Sequence, residues 1–217
     1  MKEMDGIRAA IFDLDGTLID SMGAWHEADV QFLTRRGLPL EQDYFDLIKA
    51  MPFAIAADYT IERYKLGDSP EEVIAEWRGY VQDEYDHSIP LKDGAIEYLA
   101  HLKSRGVKIA LATSNELPLC RGALRRLGID RFADALTFTH EAARPKSFPD
   151  VYLLAAERLG ASVGETAVFE DAFVGVKSAK SGGFFTVAVY DDASAHDWED
   201  MSAAADLAVR DLRELIR

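Results

Sequence analysis

Apolar residues recur along the chain in two rhythms. Five short runs, Arg8–Leu14, Val107–Thr113, Ala135–Thr139, Thr166–Glu170 and Phe184–Val189, are apolar almost without interruption. Runs that lack polar alternation belong to strands covered on both faces, which means a parallel sheet between layers of helix. The segments between them carry the helical rhythm. Ile96, Leu99 and Leu102 share one helix face, predicting a helix over Asp93–Arg105 with Asp93 as its N-cap and Gly106 beyond its end. Pro149 opens a further helix that Gly160 closes. This alternation from about residue 90 onward predicts a doubly wound α/β core.

More than 90 residues separate the first run from the second, far more than one crossover helix needs. The excess reads as an inserted helical domain, placed at residues 20–89, with the core formed by 1–19 and 90–217. Its helices are expected over Ser21–Arg36, stopped by Gly37, over Tyr44–Tyr64 with a break at Pro52, and from Ser69-Pro70-Glu71-Glu72, a capping box with proline at the first helical position.

Composition narrows the partners. Of 217 residues, 48% are hydrophobic and 29% charged, and the net charge of -14 disfavours nucleic acid and anionic membrane surfaces. The insert holds 15 acidic and 6 basic residues, so most of this charge is its solvated helix surface. One cysteine, Cys120, rules out an internal disulfide and a multi-cysteine zinc site. No apolar stretch approaches the ~20 residues of a spanning helix, and acids stand where a secretory signal would be basic. A cytoplasmic protein is expected.

In an open α/β sheet, ligands gather beyond the carboxyl ends of the strands. Those ends hold Asp13 and Asp15 with Gly16 after the first run, Thr113, Ser114 and Asn115 after the second, and Glu170 and Asp171 after the fourth, with Lys146 following the third. Two carboxylates about 4 Å apart repel by about 4 kcal/mol at an effective dielectric of 20, so Asp13 and Asp171 together require a cation. An all-oxygen donor set without His or Cys favours Mg²⁺. A hard divalent ion, Lys146 and the Thr113 hydroxyl would form a receptor for a phosphoryl group that a carboxylate attacks.

These motifs, Asp13-Leu14-Asp15-Gly16-Thr17-Leu18, Ala112-Thr113-Ser114-Asn115, Lys146-Ser147-Phe148-Pro149-Asp150 and Phe169-Glu170-Asp171 followed by Gly175, resemble those of the haloacid dehalogenase superfamily. The branch they resemble is the phosphatases with a small helical cap on a Rossmann-like core. The resemblance implies that Asp13 is the nucleophile and that Asp15 is the general acid and base. It implies Mg²⁺ held by the Asp13 carboxylate, the Asp15 backbone carbonyl and Asp171, with Glu170 as a further ligand or water-holder. Thr113, the amides of Ser114 and Asn115, and Lys146 would bind the phosphoryl oxygens of a small phosphorylated metabolite.

Ser147 stands where the family usually has proline, and Ala172 where serine is common. Sugar-phosphate mutases of the family typically carry a histidine where this chain has Trp25, followed here by His26, and an arginine where it has Phe53, shortly after Lys49. Hydrolysis is therefore expected over the mutase alternative. Readings from other classes are a receiver-like phosphorylatable switch and a catalytically silent binding protein. The Asp15 acid and the large insert speak against the first, and the intact set of catalytic side chains against the second.

Overall fold

Six parallel strands stand side by side in the order β3-β2-β1-β4-β5-β6 in a computed structural model of the chain, which describes residues 6–48, 51 and 53–216. They are β1 (Ala9–Phe12), β2 (Lys108–Thr113), β3 (Ala135–Phe138), β4 (Thr166–Glu170), β5 (Phe185–Val189) and β6 (Leu207–Val209). The first five answer the five apolar runs. The sixth has three residues, too few for a periodicity signal, and pairs only with β5 at the sheet edge.

The central strands β1, β2, β4 and β5 are largely buried, and the edge strands β3 and β6 half-buried, as α5 (Ala95–Ser104), α6 (Leu117–Arg126), α7 (Asp150–Leu159), α8 (Phe173–Ser181) and α9 (Trp198–Ala204) alternate with them along the chain. One core cluster joins Ile11, Ala110 and Val168 of the sheet to Val151, Tyr152, Ala155 and Leu159 of α7. Phe12 and Phe169, register partners on β1 and β4, stack at 4.2 Å. The expected helix over Asp93–Arg105 begins later than predicted. Gly94, not Asp93, occupies its N-cap at φ +76, where a Cβ would meet Arg213 and the Asp211 carboxylate at 2.7 Å. Asp93 instead pairs with Arg213 at 3.3 Å.

The chain divides into two compact units, residues 1–22 with 89–217, and residues 23–88. The smaller unit contains α1 (Ala24–Arg35), α2 (Gln42–Ile48), α3 (Phe53–Tyr64) and α4 (Pro70–Asp83), then a π-helical turn at Glu84–Ser88. Ser69 and Glu72 form both bonds of the expected capping box ahead of α4. Phe32, Leu33, Tyr44, Val73 and Trp77 supply its buried apolar surface. Arg36 is clasped by Glu76 at 2.6 Å and Asp68 at 3.0 Å. The break at Pro52, and Lys49, lie outside the described residues.

In the larger unit, the segments that leave for the smaller one and return from it are laced together. Asp20 donates its amide to Pro90 at 3.0 Å, Lys92 donates to Leu18 at 2.9 Å, and Ile19 bridges Leu91 antiparallel. Among the described residues, no helix is long and apolar enough to cross a membrane.

Candidate active site

The strand order reverses between β1 and β4, and the chain beyond both strands carries acids. Asp13 directly follows β1 and donates its amide to Phe169 of β4 at 3.0 Å. A tight loop follows, closed by the amides of Leu18 and Ile19 on the Leu14 carbonyl. Gly16 turns this loop at φ +84, and a Cβ there would run into the Asp171 carboxylate. Only glycine fits, because the backbone must be left-handed and Asp171 occupies the space a side chain would take.

Asp13, Glu170 and Asp171 are all buried, with carboxylate oxygens within 4.8 Å of one another. Lys146 reaches into this cluster, ion-paired to Asp13 Oδ1 and to Glu170 Oε1, the latter at 2.8 Å. Among the described residues, one ammonium faces three carboxylates. Burial, reinforced by Glu170 and Asp171, raises Asp13 well above the usual carboxylate range in spite of Lys146. Burial and Glu170 push Asp171 up to about 7, with Asp191 contributing. For Lys146, burial alone would pull its pKa down, but the charges of Asp13 and Glu170 outweigh it and hold the value above that of an ordinary lysine. The cluster is thus short of positive charge, and its all-oxygen donors and buried acids fit a hard divalent cation.

Asp15 belongs to a second group. Its Oδ1 accepts from Ser21 Oγ at 2.6 Å, and its Oδ2 accepts from Asn115 Nδ2 at 2.8 Å and Thr113 Oγ1 at 3.3 Å. Thr113 ends β2, and its hydroxyl accepts the Asn115 amide at 3.1 Å. Asn115 therefore enters through its side chain as well as its backbone. Ser114 is exposed, its hydroxyl 3.3 Å from that of Thr139. The motif residues thus fall into an acid–lysine cluster and a hydroxyl–amide group around Asp15.

Three further side chains act here to which the sequence reading gave no role. Tyr152 of α7 donates to Glu170 Oε1 at 2.7 Å, Thr17 donates to Asp171 Oδ1 at 3.3 Å, and Ser21 holds Asp15. Tyr152 sits on the apolar face of its helix and looks like core from the sequence. Ala172, where the family favours serine, is the N-cap of α8 and makes no side-chain cap bond. In the smaller unit, His26 packs edge-on against Phe45 at 4.6 Å.

The fold and the sequence both have relatives among known proteins. Residues 7–183 match the family model of haloacid dehalogenase-like hydrolases, and the chain belongs to that family. It is 31% identical to validoxylamine A 7'-phosphate phosphatase of Streptomyces hygroscopicus subsp. limoneus, over 96% of this chain and 95% of that one. It is 30% identical to a phosphorylated carbohydrates phosphatase of Thermotoga maritima, over 82% of each chain. A solved structure from Thermotoga maritima, provisionally assigned as a beta-phosphoglucomutase, superimposes with a TM-score of 0.85 at 28% identity over 97% of both chains.

Proposed function

We propose that this enzyme hydrolyses small phosphomonoesters, sugar or polyol phosphates in particular, through an aspartyl-phosphate on Asp13. The observation that carries the reading is the buried trio Asp13, Glu170 and Asp171 at the reversal of the sheet, met by the single ammonium of Lys146. Mg²⁺ would be held by the Asp13 carboxylate, the Asp15 backbone carbonyl and Asp171, with Glu170 beside them. When bound, it supplies the missing positive charge and draws the phosphoryl oxygens toward the nucleophile.

The remaining work falls to the side chains. An Asp13 carboxylate oxygen attacks phosphorus, the ester P–O bond breaks, and Asp15 gives its proton to the departing alkoxide. Asp15, now a carboxylate, takes a proton from water as that water attacks phosphorus, releasing phosphate and restoring Asp13. Lys146 and Thr113 donate to the phosphoryl oxygens, with the Ser114 and Asn115 amides beside them. Serving as both acid and base requires Asp15 to exchange hydrogen-bond partners, and Ser21, Thr113 and Asn115 hold it ready between the two steps.

The helical insert, residues 20–89, serves as a cap over a catalytic core of 1–19 and 90–217, with hinges near 18–21 and 88–93. It excludes bulk water and chooses the alcohol part of the ester. The named phosphatase relatives support a phosphorylated carbohydrate as substrate class, and the single cysteine is in keeping with a cytoplasmic enzyme. A mutase reading has the Thermotoga structure behind it. Trp25 and Phe53 at the mutase positions favour water as the acceptor instead.

The test is multiple turnover of an aryl phosphate with Mg²⁺, its loss with chelator, and acid-quench trapping of phosphate on Asp13. Asp13→Asn should eliminate both turnover and trapped label. Turnover that survives this substitution, or a label that never hydrolyses, refutes the reading. Hexose 1-phosphates with product detection separate hydrolysis from isomerisation.

A further inference from the structure

Beside the acid cluster lies an ion pair that the proposed chemistry does not use. Asp191 follows β5, three residues beyond Ala188, which is the register partner of Glu170, so it shares the sheet edge with Asp171. It is 3% exposed. Its Oδ1 accepts the Ala193 amide at 2.8 Å, and its Oδ2 accepts Lys92 Nζ at 2.7 Å. Lys92 lies on the returning linker, and its backbone is fixed to Leu18. Asp191 and Asp171 thus stand just beyond the ends of two hydrogen-bonded neighbouring strands, β5 and β4.

We infer that the Lys92–Asp191 pair sets the divalent-ion affinity of the Asp13, Glu170 and Asp171 cluster, Asp191 drawing the ion in and Lys92 offsetting that pull. The inference rests on reading the cluster as a Mg²⁺ site. Both charges are largely withdrawn from water, so solvent screens them poorly and each acts on a neighbouring divalent ion at reduced dielectric. Asp20, Asp93, Asp192 and Arg210 line a cleft of about 270 Å³ beside Lys92 and stay unchanged in every variant below. Lys92 and Asp191 thus act through the ligands, as positioning charges, and touch no reacting atom.

The charges predict opposite signs. Asp191→Asn leaves Lys92 uncompensated and should weaken Mg²⁺ binding about tenfold, whereas Lys92→Met leaves Asp191 uncompensated and should tighten it about fivefold at pH 8. The double variant restores neutrality and should return to within about twofold of the parent. Calorimetric titration of the full chain with Mg²⁺ alone reads this without substrate, and thermal melts with and without Mg²⁺ report the same order through the ion-dependent rise in Tm. Lys92→Gln, which keeps a hydrogen-bond donor to Asp191, should behave as Lys92→Met.

A pair that merely clasps the linker gives a different result: both single variants lower Tm, and Mg²⁺ affinity moves in the same direction in each or not at all. Either pattern overturns the inference while leaving the phosphatase reading intact. A parent protein that takes up no Mg²⁺ overturns the reading of the cluster, and the inference with it.

Discussion

Tyr152 Oη and Lys146 Nζ converge on one oxygen of Glu170, at 2.7 and 2.8 Å. Tyr152 is buried and its hydroxyl is held well above the ordinary phenol range, first by burial and then by Glu170, so it remains a donor. Glu170 is thereby fixed from two sides. Tyr152→Phe removes one hydrogen bond to a buried charge, worth about 1.5–3 kcal/mol, while Lys146 still holds the carboxylate. Urea unfolding should show that loss, and kcat should fall less than about tenfold. Unchanged stability would mean that the hydroxyl contributes nothing to holding Glu170.

Gly16→Ala strikes the site from the backbone. Its φ of +84 and the Asp171 carboxylate in the path of a Cβ both penalise any side chain there. A strained left-handed residue costs about 1–3 kcal/mol, and the displacement of Asp171 comes on top. Activity should drop by at least about 100-fold, with a weaker response to added Mg²⁺. A variant with the parent's kcat would show that the close approach of residue 16 to Asp171 has no catalytic consequence.

For Asp15, the leaving group is the diagnostic. In the proposed mechanism Asp15→Asn removes the acid that protonates an alkoxide, so alkyl phosphates should lose about 10³-fold or more, whereas an aryl phosphate, whose leaving oxygen needs less help, should still phosphorylate Asp13. The phosphorylated form should then accumulate, because the base for the second step is missing as well. Equal losses for both ester classes, without accumulation, would take Asp15 out of the proton transfers.

Asp29 on α1 supplies a pH signature in the helical unit, where burial raises its pKa to about 7. The folded form then retains a proton that the unfolded chain releases near pH 4, so stability falls as pH climbs from about 4 to about 7 and then levels off. Burial is the cause of the rise, with no opposing charge or hydrogen bond drawing the carboxyl back down. Asp29→Asn should abolish this slope and stabilise the protein at pH 8 by on the order of 2 kcal/mol. Parallel pH–stability curves for parent and variant would contradict it.

The strand ends were legible because buried parallel strands read as unbroken apolar runs, and residues such as Asp13, Thr113 and Asp171 stand out against them as abrupt polar stops. Lys146 was legible from its place ahead of Pro149-Asp150. What escaped was tertiary. Tyr152 meets Glu170 across 18 positions and lies on a helix face whose periodicity marks it as packing. Ser21 holds Asp15, yet in sequence it looks like the start of a helix that in fact begins at Ala24. Asp93 looked like a cap because its side chain is suited to one, whereas Gly94 prevailed because Arg213 and Asp211 crowd the position.

The lacing of Leu18 to Lys92 and of Asp20 to Pro90 gives the larger unit a closed seam at the point where the polypeptide departs and re-enters. Closure entropy grows only slowly with the length of what is enclosed, so the register of the sheet is nearly indifferent to the size of that excursion. The segment is in effect a cassette. A different helical module could be spliced in at the seam without redesign of the strands.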